Sequence, residues 1–502
     1  MSIITNIIDR FKRKPQTRTK YVNVARGFDA GAIDRLKSSW TTSTQNIDEL
    51  LHRNRKVMVA RSRDAAQNNG YAKRFLGLLK TNICGPDGFK FQAATRTNKN
   101  KPDSLLNDTL EDLFEEFSKV GNFDVTEQLS RKEAEHLFIQ TLATDGECIV
   151  RLVDGFENND FRFAIQFIDS ELLDVELNKS LTNGNVIRMG VEFNPWRKPV
   201  AYWFTNYDTR KESAYYQSAK HSRIPAEEII HTFLKMRVNQ TRGVPWMHAA
   251  LSEMDDLHGY KEGAIVNARV GAAKMLAITT PTGNELAYDS IDSQGYKYEE
   301  VSPGLIKEYP AGTEFHNFDP TYPHAQYESF IKTTLRGMSS GLEVSYNALA
   351  SDLEGVNFSS IRAGVLEDRE FWKTTQVWCI DHFCNQVYNA WLHRQLLQGT
   401  IKVKGQPLDI MREDKCQNVI FQGRRWDWVD PLKDMSANEK AQQMGVKSLS
   451  QIIRDMGRDP DEVWEEIQAE REKLAELGIN ITTSTTPQTI ASTDNATTDT
   501  NP

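Results

Sequence analysis

Residues 341–372 read "GLEVSYNALASDLEGVNFSSIRAGVLEDREFW": a helix end, a polar loop and the start of a second helix in immediate succession. Inside it, "SDLEGVNFSSIRAG" (351–364) carries Asp352, Leu353, Glu354 and Gly355, then Val356, Asn357 and Phe358, then two serines leading into an amphipathic run. The composition is that of an active-site loop. Yet the neighbouring residues supply no nucleophile with its base and no cluster of metal ligands. Gly355 suits a mobile backbone, and Ser359 or Ser360 is read as the N-cap of the following helix. A polar loop between helices with no chemistry attached is a mechanical element, and the rest of the chain must say of what kind.

Downstream, "SSIRAGVLEDREFWKTTQVWCIDHFCNQVYNAWLHRQLLQG" (359–399) places Ile361, Val365, Trp372, Ile380, Phe383, Val387 and Trp391 on an amphipathic pattern. About 40 residues is far longer than an ordinary helix, so a kink is expected. Upstream, "YESFIKTTLRGMSSGL" (327–342) has helical spacing, with Phe330, Ile331, Leu335, Met338 and Leu342 on one side. Residues 278–325 are turn-rich with short strands, a small β insert. Before it, "WMHAALSEMDDLHGYKEGAIVNARVGAAKMLA" (246–277) reads as one helix of roughly 45 Å, with Pro245 at its first position after Gly243. Ala264, Ala268 and Ala272 recur every fourth residue beside Gly259, Gly263 and Gly271. Each glycine lowers helix propensity, so the stripe points either to identical helices packed closely side by side or to one helix buried on a sheet.

Residues 58–242 read as one α+β domain. "AKRFLGLLKTNICGPDGFKFQA" is a helix stopped by Gly-Pro-Asp-Gly and followed by a strand. Residues 108–122 and 130–146 are helical, the second capped by Ser130. "ECIVRLVDG", "FRFAIQFIDSELL", "NVIRMGVEFN" and "KPVAYWFTN" then switch to a turn-separated antiparallel pattern. After the long helix, "VIFQGRRWDWVDPLKD" is extended and aromatic, and 432–478 is helical and highly charged. Residues 480–502 are Thr/Ser/Asn-rich with few core-forming side chains and are expected to be disordered.

A chain of 502 residues is too long for one ordinary core and suggests about three or four domains. No apolar run reaches the roughly 18 residues a bilayer demands, so no membrane partner is expected. At the N-terminus, Arg10, Lys12, Arg13 and Lys14 follow the short apolar patch instead of preceding it, which argues against a secretory signal. The five cysteines (84, 148, 379, 384 and 416) are odd in number and scattered, as in a protein of a reducing cytoplasm. A net charge of −8 argues against tight, nonspecific gripping of nucleic acid, though not against letting DNA pass.

Catalytic motifs are scarce. No phosphate loop or dinucleotide fingerprint occurs. "GMSSG" (337–341) lies at a helix end and lacks the strand-turn-helix setting of a serine nucleophile elbow. "CIDHFC" brings Cys379, His382 and Cys384 near one another, but the spacing puts Cys384 off the shared face and no fourth ligand is close, so no metal is expected. Asp255-Asp256, Glu299-Glu300 and Asp352 with Glu354 are the carboxylate pairs a metal-dependent nuclease would draw on; adjacent acids are usually just solvated. Arg424-Arg425-Trp426-Asp427-Trp428 mixes cations and rings as nucleic-acid platforms do, and equally suits a packed domain junction.

The order of parts, with 341–372, "RGVPWMHAAL" (242–251) and "IDSELL" (168–173), resembles the lambda-type portal family of tailed phages over roughly residues 20–440. The resemblance implies a multi-domain α+β portal fold assembled as a ring of twelve subunits at one capsid vertex. It divides the chain into an N-terminal arm and helical segment (1–57), a wing (58–242), a stem helix (243–277), a clip (278–325), a second stem helix (326–344), a tunnel-loop region (345–358), a long wing helix with return strand (359–431), a helical crown (432–479) and the tail. It implies a noncatalytic channel for double-stranded DNA in packaging and ejection, without a cofactor. The implied partners are the terminase large subunit, head-tail connector or adaptor proteins, and the major capsid and scaffold proteins. The implied location is the portal vertex of the virion, after assembly in the host cytoplasm. Asp352 through Phe358 would form the tunnel loop; Gly263, Ala264, Ala268, Gly271 and Ala272 would pack neighbouring stems. Lys261, Arg269, Lys332 and Arg336 are the candidate cations for centring the duplex, with salt bridges between stems as the alternative. The rival function is a DNA-processing enzyme, a nuclease or a packaging motor component, and the missing phosphate loop weakens the motor.

Overall fold

Asn69 divides the first helical run. Its backbone is extended and its side-chain oxygen accepts from the Tyr71 and Ala72 amides, so α1 (Ile47–Asn68) ends where α2 (Gly70–Leu79) begins. The computed structural model describes residues 41–97, 101–207, 217–272, 276–279, 290–291, 297–298, 314–317, 326–355, 357–426 and 431–476. Two compact units divide the chain, Met1–Asn46 and Ile47–Pro502; of the first, residues 41–46 form neither helix nor strand. The basic arm and residues 480–502 lie outside the described residues.

In the second unit α2 runs into a π-helical turn (Lys80–Cys84), stops at Gly85 and leads to β1 (Lys90–Ala93). Then comes α3 (Ser104–Phe117), earlier at both ends than the expected 108–122, because Leu106, Leu110, Phe114 and Phe117 form its buried face. Ser130 caps α4 (Arg131–Asp145) as predicted, in a capping box with Glu133, and left-handed Gly146 ends it. Eight strands follow: β2 (Glu147–Asp154), β3 (Phe163–Ile168), β4 (Lys179–Ser180), β5 (Val186–Arg188), β6 (Val191–Phe193), β7 (Pro199–Tyr207), β8 (Gln217–Pro225) and β9 (Ile229–Phe233). They make two antiparallel sheets, β3-β2-β9 and the meander β4-β5-β6-β7-β8. "NVIRMGVEFN", read as one strand, is a hairpin: Met189 and Gly190 both have positive φ, the conformation of a two-residue turn, and Val186 pairs with Phe193.

The helix expected over 246–277 is shorter at both ends. Residues 246–250 are turns, so Pro245 is not its first residue, and α5 is Leu251–Ala272. Leu276–Thr279 is a strand instead, β10, because it pairs with β13 (Glu314–Asn317). Between them, β11 (Ser290–Ile291) pairs with β12 (Lys297–Tyr298); the rest of 278–325 lies outside the described residues. Next come α6 (Tyr327–Gly341), α7 (Tyr346–Ala350) and α8 (Phe358–Cys379). The long helix carries a π-helical turn (Ile380–Cys384) that leads directly into α9 (Asn385–Gln398). The small hairpin β14 (Lys402–Val403) and β15 (Gln406–Pro407), α10 (Glu413–Cys416), β16 (Val419–Gln422), α11 (Pro431–Gln443), α12 (Leu449–Asp455) and α13 (Pro460–Glu476) complete the order.

Long-range packing joins segments far apart in sequence. β16 pairs antiparallel with β1, Phe421 opposite Phe91. The main core takes residues from α2, α3, α4, β2, α6, α8 and α9. Trp391 is its centre, with Phe114 at 5.1 Å and Phe117 at 6.0 Å between ring centroids; Phe138 stacks on Phe383 at 4.3 Å. Such rings each bury roughly 150–250 Å2 and dominate the packing energy. A smaller core (Ile149, Leu173, Val191, Tyr202, Phe204, Ile229) lies between the two sheets. Of the stripe predicted on 327–342, Leu335, Met338 and Leu342 are buried and Ile331 half-buried, while Phe330 is exposed and lies 4.6 Å from Tyr260 of α5. All five cysteines are buried free thiols, and no described helix is long and apolar enough to cross a membrane.

Candidate functional site

The loop between α7 and α8 is held from its two flanks. Ser345 caps α7, its side chain accepting from the Ala348 amide, and its hydroxyl donates to Asp368 of α8 at 2.7 Å. Ser351 and Gly355 both have positive φ, and a side chain at Gly355 would meet nothing within 4 Å, so the tip is free of packing. Asp352 accepts from the Tyr346 hydroxyl at 2.7 Å and from the Glu354 amide at 2.9 Å. Those two donors, the amide first, hold the Asp352 carboxyl below its usual range. Glu354 accepts from Lys332 of α6 at 3.1 Å, and Leu353 is 64% exposed. Helix α8 begins at Phe358, so Ser359 and Ser360 stand in its first turn, not at its N-cap; the amide of Ile361 bonds the Asn357 carbonyl. Val356 lies outside the described residues.

The four candidate cations have distinct settings. Lys332 lies between Glu328 (2.6 Å) and Glu354, and these two carboxylates raise its pKa. Arg336 lies 5.4 Å over the Tyr346 ring, and Lys261 donates to the Tyr71 hydroxyl at 2.7 Å. Arg269 is exposed on α5. Of the small residues, Ala264 is buried and Ala268 half-buried, whereas a side chain at Gly259 or Gly263 would meet nothing within 4 Å. Backbone alone is described at Gly271 and Ala272. Replacing Lys332 by Met is predicted to speed amide hydrogen exchange at 352–355 several-fold and leave α6 protection unchanged. Equal exchange in both proteins would show that the ion pair does not order the loop.

A buried ionic hub sits where the chain turns into α5. Glu147 at the start of β2 accepts from Arg242 (2.5 Å), Arg55 of α1 (2.9 Å), His231 of β9 (3.1 Å) and the Gly243 amide (2.9 Å). Arg242, fully buried, also donates to the carbonyls of Ser170, Leu173 and Met189, so both sheets are tied to it. Burial pushes the Glu147 carboxyl up, but Arg242, Arg55 and His231 outweigh it and hold the group well below its ordinary range. Burial depresses His231 and lowers Arg55 to about 10, both against the pull of Glu147. Beside the hub, Asp145 pairs with Arg63 at 2.6 Å, and Asp48 accepts from Thr241 and Arg197. Sequence reading missed Glu147, Arg55, His231 and Asp48, because no local pattern marks charges that meet only after folding; the "RGVP" string alone hinted at Arg242.

Neither constellation pairs a nucleophile with a base open to a substrate. Among the described residues no group of three or more His, Cys, Asp or Glu converges to hold a metal ion. Cys379 and Cys384 are buried at the π turn, and His382 bonds the Trp378 carbonyl. Trp426 packs against the main core and donates to Asn82 at 2.9 Å, with Arg369 5.7 Å over its ring; Asp427 and Trp428 lie outside the described residues.

A family model described as "Phage portal protein, lambda family" matches residues 34–376. The chain is 34% identical over 480 residues to the "Probable portal protein" of Halomonas phage phiHAP-1, covering 92% of this chain and 90% of that one. It is 20% identical to "Portal protein B" of Escherichia phage lambda, covering 85% of each. Among solved structures, a chain in "Neck of native GTA particle computed with C12 symmetry" is 11% identical with a TM-score of 0.44, covering 81% of this chain and 94% of that one.

Proposed function

Because this chain belongs to the lambda family of phage portal proteins, we propose that it forms a ring, of twelve subunits, that serves as the channel for double-stranded DNA at one capsid vertex. In this reading 243–277 and 326–344, which contain α5 and α6, are the stem, 278–325 the clip that meets the terminase large subunit and later the connector proteins, 432–479 the crown, and 352–358 the tunnel loop. The major capsid and scaffold proteins surround the ring, which is assembled in the host cytoplasm and ends in the virion. The observation that carries it is the family match across 34–376, which contains both stem helices, the loop and the start of α8.

Physical chemistry supports the assignment at the loop. Its carboxylates are engaged by Tyr346, Lys332 and a backbone amide, an arrangement that shapes a segment instead of activating water. A channel must let phosphates slide, and each cation left free adds salt-dependent grip; Lys332 is neutralised by two acids. On the open side of α5, Gly259 and Gly263 leave room for a neighbouring helix of another subunit. The chain acts without catalysing a reaction of its own.

Deleting 352–357 is the direct test. Rings seen by negative-stain microscopy should persist, while the yield of DNA-filled infectious particles falls at least tenfold. Unchanged yield would remove the tunnel-loop assignment; a particle that stays monomeric or dimeric across salt and concentration would remove the ring. Purified protein should not cleave DNA with divalent metal, and cleavage abolished by alanine at Asp255 and Asp256 would make it an enzyme.

A further inference from the structure

Two loops, one from each sheet, hold apolar tips out in solvent. The turn between β6 and β7 (194–198) carries Trp196, 91% exposed, and the segment after β9 carries Met236 and Val238, 57% and 86% exposed. Hydrogen bonds fix both backbones without using these side chains. Asn194 accepts from the Trp196 and Lys198 amides at 3.0 and 2.9 Å, and Gln240 accepts from the Met236 and Arg237 amides at 2.9 and 3.2 Å. Arg197 joins the loops, donating to the Asn239 carbonyl at 2.9 Å while it pairs with Asp48 of α1. Between the loops lies a groove of about 640 Å3, with Phe193, Tyr202 and Phe233 in its walls and no carboxylate among the described residues that line it. Lys198 and Lys235 are exposed, one on each loop.

Exposed apolar side chains gathered at one place, as opposed to scattered singly, mark an interaction surface, and an indole on a fixed backbone is a strong anchor for one. A loop already held in shape also loses little freedom on docking. Symmetry says what covers it. Copies related by rotation in a ring meet head to tail, so each chain must carry a second, matching patch elsewhere. At the other end of α1, a cavity of about 450 Å3 has Leu251 and Met254 in its apolar lining and Asp64, Asp255 and Asp256 around them, with Arg61 the cation beside them. The loops grip α1 at Asp48, and the cavity begins at Asp64, sixteen positions on; at 1.5 Å per residue that is about 24 Å along the helix. A chain's own fixed loops therefore do not fill its own cavity, whereas an apolar and basic patch matches an apolar and acidic one on another copy. We propose that the Trp196 turn and residues 234–238 of one subunit dock on the cavity at Asp64, Asp255 and Asp256 of the next, joining one subunit's sheets to the corner between α1 and α5 of its neighbour. The inference rests on the ring reading.

The test follows ring formation by the full chain over a concentration series by mass photometry, with the melting temperature of the unassembled chain as the control for folding. Trp196→Ala should raise the concentration at which half the chains are in rings by about tenfold, the loss expected of one anchor side chain. Its melting temperature should not move, because the side chain is exposed. K198E/K235E should weaken assembly from the side of the loops, and Asp255→Lys with Asp256→Lys from the side of the cavity. Combining all four substitutions restores opposite charges and should recover most of the loss. Charge-reversed loops that the reversed cavity does not rescue overturn the proposal. So do Trp196→Ala rings at the wild-type level with fewer DNA-filled particles, which would assign the loops to another protein of the particle. Wild-type rings that none of these variants disturbs sink this inference alone, whereas a wild-type chain that forms no ring sinks the reading beneath it.

Discussion

Glu147→Ala should destabilise the second unit by about 3–5 kcal/mol, the usual cost of removing one partner from a buried charge cluster. The substitution leaves Arg242 and Arg55 buried at 0% and 2% side-chain exposure with a positive charge uncompensated, and strips the Gly243 amide of its acceptor. Urea unfolding followed by circular dichroism reads the loss as a lower midpoint. Glu147→Gln keeps an acceptor and discards the charge, so its loss should be smaller; equal losses would mean that hydrogen bonding and not charge carries the hub. The same cluster sets an acid sensitivity. The folded-state pKa of Glu147 is depressed, so its contribution is fully present above the ordinary value of 4.5 and disappears as pH falls below it. His231 is also depressed, so it stays neutral when folded while the unfolded chain binds a proton below the ordinary 6.5; stability again falls with falling pH. Melting temperature should therefore decline from about pH 6.5 downward and more steeply below about pH 4.5, and Glu147→Gln should flatten the lower limb. A profile with no change below pH 6.5 would contradict the hub geometry.

Gly243→Ala should cost roughly 3 kcal/mol or more, at the upper end for overpacking, because the obstacle is backbone and cannot rotate away. A Cβ at residue 243 would stand 2.0 Å from the Gly146 carbonyl oxygen and 2.5 Å from its carbon. The collision sits between the end of α4 and the segment that enters α5, and shifting residue 243 also pulls its amide from Glu147. The variant should therefore lose stability in urea and, where it still folds, lose ring assembly through a misdirected α5. A midpoint within the error of wild type would show that the backbone yields locally. Gly259→Ala is the control: a side chain there meets nothing within 4 Å inside one chain, so its fold should survive, and any deficit should appear in assembly alone.

What the sequence by itself determined was local and periodic. The capping box at Ser130 and Glu133, the stop after Cys84, the strands around 147–168 and the stripe Leu335, Met338, Leu342 each rest on interactions between residues a few positions apart. The loop at 351–358 was legible for the same reason, as a glycine and polar side chains between two amphipathic runs. Helix ends were less legible. The helical pattern ran on through 276–277, yet β10 forms there because Glu314–Asn317 offers a strand edge, which no window around residue 276 contains.

Tertiary structure alone decided the rest. Lys332, in the sequence either a candidate cation for centring a duplex or a salt-bridge partner, lies against Glu354 some twenty positions on, so its charge is engaged. The β1–β16 pairing brings Arg424 and Arg425 to one cavity with Lys90, across more than three hundred residues. Glu147, Arg242, Arg55 and His231 look like ordinary surface charges in the sequence and are the most buried ionic group described. The physical reason is common to all three. The energy of a charge depends on solvent exclusion and on what stands within a few ångströms, and those are properties of the folded chain and not of its neighbours in sequence.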